Sequence, residues 1–264
     1  MSLVIFTDLD GTLLDRDSYS WQPARAALAR CRQCRVPVVA TTSKTLAETR
    51  KLSREIGLDS RFIFENGGGI FLEDGTWLSL GIPYDQLRDA FSILAGRFPL
   101  RGMGDMDIGE LVEITGLTPE EAGLAKQRLF SEPFLYVGDN LPALEAAAAG
   151  RGLQVVRGGR FYHLMAAQQS KGNAVREWIC RLGKNMSRPL ITAALGDSPN
   201  DFSMLAAVDY PFLVRQKGGQ KVDCPLEMAA RTRAAGPAGW SEAVMGLLTD
   251  QFGSCGLNKE KDHV

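Results

Sequence analysis

Leu3-Val4-Ile5-Phe6-Thr7-Asp8-Leu9-Asp10-Gly11-Thr12 decides the fold. Residues 3–7 are apolar or β-branched without alternation, the pattern of a strand buried on both faces, as in a parallel sheet covered by helices. The run stops abruptly at two aspartates and a glycine. In an open parallel sheet ligands bind at the carboxyl ends of the strands, so this strand delivers Asp8 and Asp10 to that edge.

Working outward, further short apolar runs at 36–41, 62–64, 190–195 and 210–214 alternate with helical stretches. Strands alternating with helices give an α/β parallel sheet. Pro37 and Pro211 then belong at strand starts or edges. The middle of the chain reads differently. Glu73-Asp74-Gly75-Thr76 is a hairpin signal between residues 70–72 and 77–80. Helices are expected over 84–97, 119–129 and 141–149, with strands at 134–137 and 153–157. Thr118-Pro119-Glu120-Glu121 is a capping box with proline in the first turn. This organisation predicts an α/β core of residues 1–82 and 166–264 interrupted by an α+β domain over 83–165. Linkers near 81–83 and 166–168 would hinge it, and the last ten or so residues form a frayed tail.

The chain has 264 residues, 45% of them hydrophobic, which is ample for a substantial core. Lys and Arg number 30 against 31 Asp and Glu, a balance that argues against a nucleic-acid binder. No apolar run approaches the ~18 residues of a membrane span, and no signal peptide is evident, so a cytoplasmic location without membrane association is expected. Five cysteines are too few for a disulfide scaffold. Cys31 and Cys34 lie near the end of a helix rather than at its N-terminus, and no second pair completes a zinc site; they read as packing residues. With only His163 and His263 present, chemistry needing several histidines is excluded and the carboxylates come forward.

Four polar clusters fall at the expected strand ends: Asp8 and Asp10; Thr41-Thr42-Ser43-Lys44; Ser170-Lys171-Gly172-Asn173; and Gly196-Asp197-Ser198-Pro199-Asn200-Asp201. Alone, the Asp8-Asp10 pair reads as a turn, residues 196–201 as a loop and helix cap, and Lys171 as a solvated side chain, while Thr42 carries no signal by itself. Together they supply carboxylates, a hydroxyl and an ammonium. Asp8, Asp10, Asp197 and Asp201 repel one another in one pocket unless a cation joins them, and Mg²⁺ with its preference for oxygen ligands suits that role. Thr42 and Lys171 then face phosphate oxygens, and an aspartate is the nucleophile of a phosphoryl-transfer site.

These motifs resemble those of the haloacid-dehalogenase-like phosphatase superfamily, whose fold is a Rossmann-like core with helices on both faces. The inserted domain resembles the α/β cap of its sugar-phosphatase branch. The resemblance implies that Asp8 is the nucleophile and that Asp10 protonates the leaving group and then activates water. It further implies that Thr42 and Lys171 hold the phosphate, while Asp8, the Asp10 carbonyl, Asp197 and Asp201 serve Mg²⁺. Thr42-Ser43-Lys44-Thr45, Glu65-Asn66-Gly67-Gly68-Gly69, Gly159-Arg160-Phe161-Tyr162-His163 and Gly236-Pro237-Ala238-Gly239-Trp240 also resemble the mannosyl-3-phosphoglycerate phosphatase family. That likeness implies a glycosyl phosphoglycerate or another small phosphorylated sugar as substrate. Ser43, Lys44, Asn66, Arg160 and His163 would contact it, with the Arg160 fork suited to a carboxylate. Ser170 stands where relatives often carry an acidic residue before the lysine. The alternatives are a phosphatase or phosphomutase for another sugar phosphate, or a phospho-accepting receiver. The insertion and Asp10 oppose the receiver, which benefits from a persistent phospho-aspartate.

Overall fold

The computed structural model describes residues 2–183, 190–218 and 222–252. Its centre is a five-stranded parallel sheet of β1 (Ser2–Thr7), β2 (Val38–Ala40), β10 (Leu190–Gly196), β11 (Tyr210–Arg215) and β12 (Ala230–Ala235), in the order β12-β11-β10-β1-β2. β1 lies in the middle. Because side chains alternate along a strand, its apolar run splits between two cores. Leu3 and Ile5 pack with Leu28 of α1 (Arg25–Gln33) and Trp240 of α9 (Gly236–Phe252). Val4 and Phe6 pack with Trp178 of α7 (Lys171–Gly183) and Met204 of α8 (Phe202–Leu205), the Phe6 and Trp178 rings meeting edge to face at 5.1 Å. Both faces of the sheet are therefore covered, each fully buried large side chain contributing about 1.5–3 kcal/mol.

α2 (Leu46–Ile56) starts with a capping box between Thr45 and Glu48 and ends at Gly57 in the left-handed conformation. β3 (Phe62–Phe64), β4 (Gly69–Phe71) and β5 (Trp77–Ser79) form an antiparallel sheet, with the expected Asp74-Gly75 turn between the last two. From there the chain enters an α+β lobe before returning to α7. The lobe contains α3 (Tyr84–Ala95), β6 (Leu100–Gly102), α4 (Ile108–Thr115), α5 (Pro119–Ala125), β7 (Glu132–Tyr136), α6 (Leu141–Ala149), β8 (Leu153–Arg157) and β9 (Tyr162–Ala166). Its antiparallel sheet runs β6-β7-β9-β8. Phe134 and Leu164 pack with Leu87 and Phe91 of α3 and Leu144 of α6. Their neighbours Pro133 and His163, paired across β7 and β9, must point to the other face, toward the parallel sheet.

The helix expected over 119–129 stops at Ala125. The N–H groups of Leu129 and Phe130, which would continue it, are taken instead by the carboxylate of Glu65, outside the lobe. A long-range charged acceptor outbids the local i−4 carbonyls here. β12 and α9 lie beyond the strands and helices expected from the sequence, because Ala230-Arg231-Thr232-Arg233-Ala234-Ala235 carries no apolar run. α4 and β6 are likewise additions. Cys31 is buried, which pushes its thiol up to about 12, and among the described residues neither it nor Cys34 forms a disulfide, in keeping with packing roles. No helix among the described residues is long and apolar enough to cross a membrane. The tail expected to fray, with His263, lies outside the described residues.

Candidate functional site

Asp8 follows directly on β1, Asp197 on β10, and Lys171 opens α7, so three elements meet at one edge of the sheet. Lys171 is fully buried. Its Nζ donates to Asp8 Oδ1 at 2.5 Å and to Asp201 Oδ1 at 2.6 Å. Oxygen atoms of Asp8, Asp197 and Asp201 lie within 4.8 Å of one another. Gly11, at φ +83°, lets the chain turn here; a Cβ on it would sit 2.7 Å from Asp197 Oδ2. Asp201 is held by the backbone N–H groups of Asp197 and Ser198, and by the Ser198 hydroxyl, all onto Oδ2 at 3.1 Å.

The electrostatics of this cluster are unbalanced. Three buried carboxylates face one buried ammonium. Burial, opposed by Lys171 and reinforced by Asp201 and Asp197, raises the Asp8 carboxyl well above its usual range. Burial and then Asp201 lift Asp197 to about 6. Lys171 moves upward despite its burial, because Asp201 and Asp8 outweigh desolvation. Asp197 Oδ1 has no hydrogen-bond partner among the described residues. Surplus negative charge together with an unpartnered carboxylate oxygen fits an oxygen-liganded divalent cation, which Asp8, Asp197 and Asp201 are placed to hold or orient.

Asp10 stands apart from these three. Its Oδ2 pairs with Lys44 Nζ at 3.0 Å. Lys44 is raised despite burial by Asp10 and then Glu48. Thr42 is buried; its Oγ1 accepts from the Lys44 backbone N–H at 3.2 Å, and its own N–H is taken by Ile63. The Ser43 carbonyl accepts from Arg128 Nη1 at 2.8 Å. Asn66 is buried in the left-handed conformation (φ 54°), with Nδ2 unpartnered among the described residues and Oδ1 3.4 Å from Asn200 Nδ2.

Between the sheet edge and the lobe lies a cavity of about 490 Å³, reached by Asp8, Asp10, Ser43 and Lys44 from below and by Arg160 and His163 from the lobe. Arg160 is exposed, with Nη1 donating to the Thr115 carbonyl at 2.7 Å. His163 is buried with Nδ1 unpartnered among the described residues, and burial, then Arg128 and Lys171, lower it to about 3, so it is neutral at physiological pH. The structure thus gathers Asp8, Lys171, Asp197 and Asp201 in one cluster, and lines the adjoining cavity with Asp10, Ser43, Lys44, Arg160 and His163. Thr42 and Asn66 lie among the same strand ends without reaching the cavity wall.

Sequence reasoning missed Arg16, Arg128 and Glu65. Arg16 Nη2 lies 3.6 Å from Asp197 Oδ2. Arg128 lines the cavity from the segment after α5. Glu65 is fully buried and accepts from the N–H groups of Leu129 and Phe130 and the hydroxyl of Ser131 at 2.8–2.9 Å. Its one sequence signal is a glutamate set in Phe64-Glu65-Asn66-Gly67, directly after a fully apolar strand.

The haloacid dehalogenase-like hydrolase model matches residues 5–100 and 147–218. A glucosyl-3-phosphoglycerate/mannosyl-3-phosphoglycerate phosphatase of Persephonella marina is 34% identical over 96% of this chain and 100% of its own length. A phosphatase of the same description from Methanococcoides burtonii is 37% identical over 94% of this chain and 98% of its own. Among solved structures, a haloacid dehalogenase-like hydrolase from Bacteroides thetaiotaomicron superposes with a TM-score of 0.69 at 16% identity, over 94% of this chain and 100% of that one; it speaks to the fold alone.

Proposed function

The chain belongs to the haloacid dehalogenase-like hydrolase family, and on that premise we propose that it is a phosphatase of glucosyl- or mannosyl-3-phosphoglycerate, releasing the glycosylglycerate and phosphate. The observation that carries this reading is the buried cluster of Asp8, Lys171, Asp197 and Asp201 beneath a polar cavity with cations on its walls. A phosphate monoester with a second anionic group suits that arrangement. The narrower substrate rests on the two relatives, which match nearly end to end.

In this reading an Asp8 carboxylate oxygen attacks phosphorus, and the bond from phosphorus to the ester oxygen breaks. Asp10, whose carboxyl lines the cavity, gives its proton to the departing alkoxide. Asp10 then takes a proton from water, whose oxygen attacks the phosphorus of the aspartyl-phosphate, freeing phosphate and restoring Asp8. Lys171 screens the phosphoryl oxygens. Thr42 Oγ1 accepts from the Lys44 amide, which leaves the hydroxyl proton free to donate to the same group. Asp8, Asp197 and the Asp10 carbonyl, with Asp201 in support, would hold Mg²⁺, which would supply the charge neutralisation that lets one anion approach another. Ser43, Lys44, Arg160 and His163 we assign to the substrate beyond the phosphate, with Asn66 acting from behind the wall through Asn200, which lines the cavity. The lobe over 83–165 acts as a cap that keeps bulk water from the intermediate.

The test is phosphate release with Mg²⁺ and with chelator. The panel is glucosyl- and mannosyl-3-phosphoglycerate, 3-phosphoglycerate and hexose phosphates. Metal-dependent release favouring the glycosyl phosphoglycerates is expected. A preference for hexose phosphates would overturn the substrate, and release untouched by chelation would overturn the metal.

A further inference from the structure

Arg128 is absent from the residues so far given to the substrate, yet its geometry is that of a ligand-reading side chain. It lies in the segment of the lobe between α5 and β7, and its side chain is 6% exposed. Two of its N–H groups are engaged by backbone: Nε donates to Ala125 O and Nη1 to Ser43 O, both at 2.8 Å. Nη2 makes no hydrogen bond among the described residues; Glu48 Oε2 lies 3.9 Å away and already accepts from the Thr45 N–H at 2.8 Å. The Glu65 carboxylate, another nearby anion, is taken by its own three donors. Nη2 is thus held only by a long ion pair to Glu48 at the cavity wall, which leaves it free to form a short, charge-assisted hydrogen bond with an incoming anion.

Its anchor fixes where that anion sits. Ser43 adjoins Thr42, so the Arg128 fork hangs beside the phosphate end of the cavity. In a 3-phosphoglyceryl unit only an ester oxygen and two carbons separate phosphorus from the carboxyl carbon, whereas the glycosyl group branches outward. The carboxylate therefore belongs at the inner end, near Ser43 and Lys44. Arg160, expected from the resemblance to take this carboxylate, is exposed and has Nη1 committed to the Thr115 carbonyl on the lobe side of the cavity.

Building on the phosphatase reading, we infer that Arg128 is the specificity-determining residue that binds the substrate's glyceryl carboxylate through its Nη2 end. Because Nη1 rests on a carbonyl of the parallel-sheet unit while Arg128 itself belongs to the lobe, the fork is aimed only when the lobe is seated on the sheet edge. Arg160 then serves the glycosyl end.

The experiment compares kcat/KM for glucosyl-3-phosphoglycerate with that for 2-O-glucosylglycerol 3-phosphate, which differs only in carrying a hydroxymethyl in place of the carboxylate. Arg128→Gln lowers this ratio by about 10- to 100-fold, the worth of one charge-assisted hydrogen bond, through KM of the carboxylate substrate. Arg160→Gln lowers it less. Arg128→Lys, with a single ammonium for both the Ser43 carbonyl and the substrate, also falls, and carries the test should the glutamine variant not fold. Equal losses on both substrates would make Arg128 merely structural and overturn the inference, as would a ratio that collapses in Arg160→Gln but survives in Arg128→Gln. Wild-type protein that releases phosphate from neither substrate would overturn the phosphatase reading itself.

Discussion

His163 gives the molecule an acid-labile point whose size follows from its surroundings. The imidazole is buried among Pro133, Phe161 and Gly158 at the lobe side of the cavity, and burial, Arg128 and Lys171 together lower its pKa from 6.5 to about 3. The folded state therefore holds His163 neutral while the unfolded chain protonates it near the ordinary value. The stabilisation is present above the ordinary pKa and is lost as pH falls from neutrality toward the folded value. At pH 5, about 1.5 units below the ordinary histidine value, the loss is about 2 kcal/mol. That figure barely depends on how low the folded value lies, provided it stays well under 5, because the unfolded chain's proton uptake sets it. Urea unfolding of wild type and His163→Gln at pH 8 and pH 5 measures it. Other carboxylates titrate in both proteins and cancel in the difference. The variant should lose about 2 kcal/mol less than wild type on acidification. Parallel losses, within about 0.5 kcal/mol, would mean that the imidazole is solvated or has an anionic partner, and would refute the burial argument.

Gly67→Ala meets both a φ of +89° and a Cβ 2.2 Å from the Ser170 carbonyl oxygen, just before Lys171; a loss of about 3 kcal/mol or more is expected in thermal unfolding. Gly75→Ala, at φ +87° with nothing within 4 Å, should lose only about 1–2 kcal/mol, which isolates the clash from the strain. Glu65→Ala orphans the N–H groups of Leu129 and Phe130 and the Ser131 hydroxyl, so stability should fall by about 3–5 kcal/mol, with faster hydrogen exchange at 129–130. Asp197→Asn removes one carboxylate from the group of three, and calorimetry should show Mg²⁺ affinity reduced about 10- to 100-fold.

The parallel sheet was legible because residues 3–7, 190–195 and 210–214 are continuous apolar runs, which only strands covered on both faces require. The same logic brought out Asp8, Lys171, Asp197 and Asp201, since the carboxyl ends of such strands converge. β12 escaped because an alternation of alanine and arginine at the sheet edge needs no apolar run. The early end of α5 and the parts played by Arg128 and Glu65 arise from contacts across more than sixty positions of sequence, such as Glu65 to Phe130. Local periodicity holds no trace of such pairs. Arg128 falls near the end of the helix expected over 119–129, and nothing in its local sequence signals the Ser43 carbonyl that holds it.

The central claim is that Asp8 carries the phosphoryl group and Asp10 releases it. The direct measurement uses Asp10→Asn with p-nitrophenyl phosphate and Mg²⁺, because nitrophenolate departs without a proton from residue 10 while hydrolysis of the intermediate still needs the missing base. The account predicts a burst of nitrophenolate equal to the enzyme present, followed by slow turnover, with one phosphoryl group found on the peptide bearing Asp8 after acid quench. Sustained turnover at the wild-type rate, or a burst with Asp8 unmodified, would contradict it.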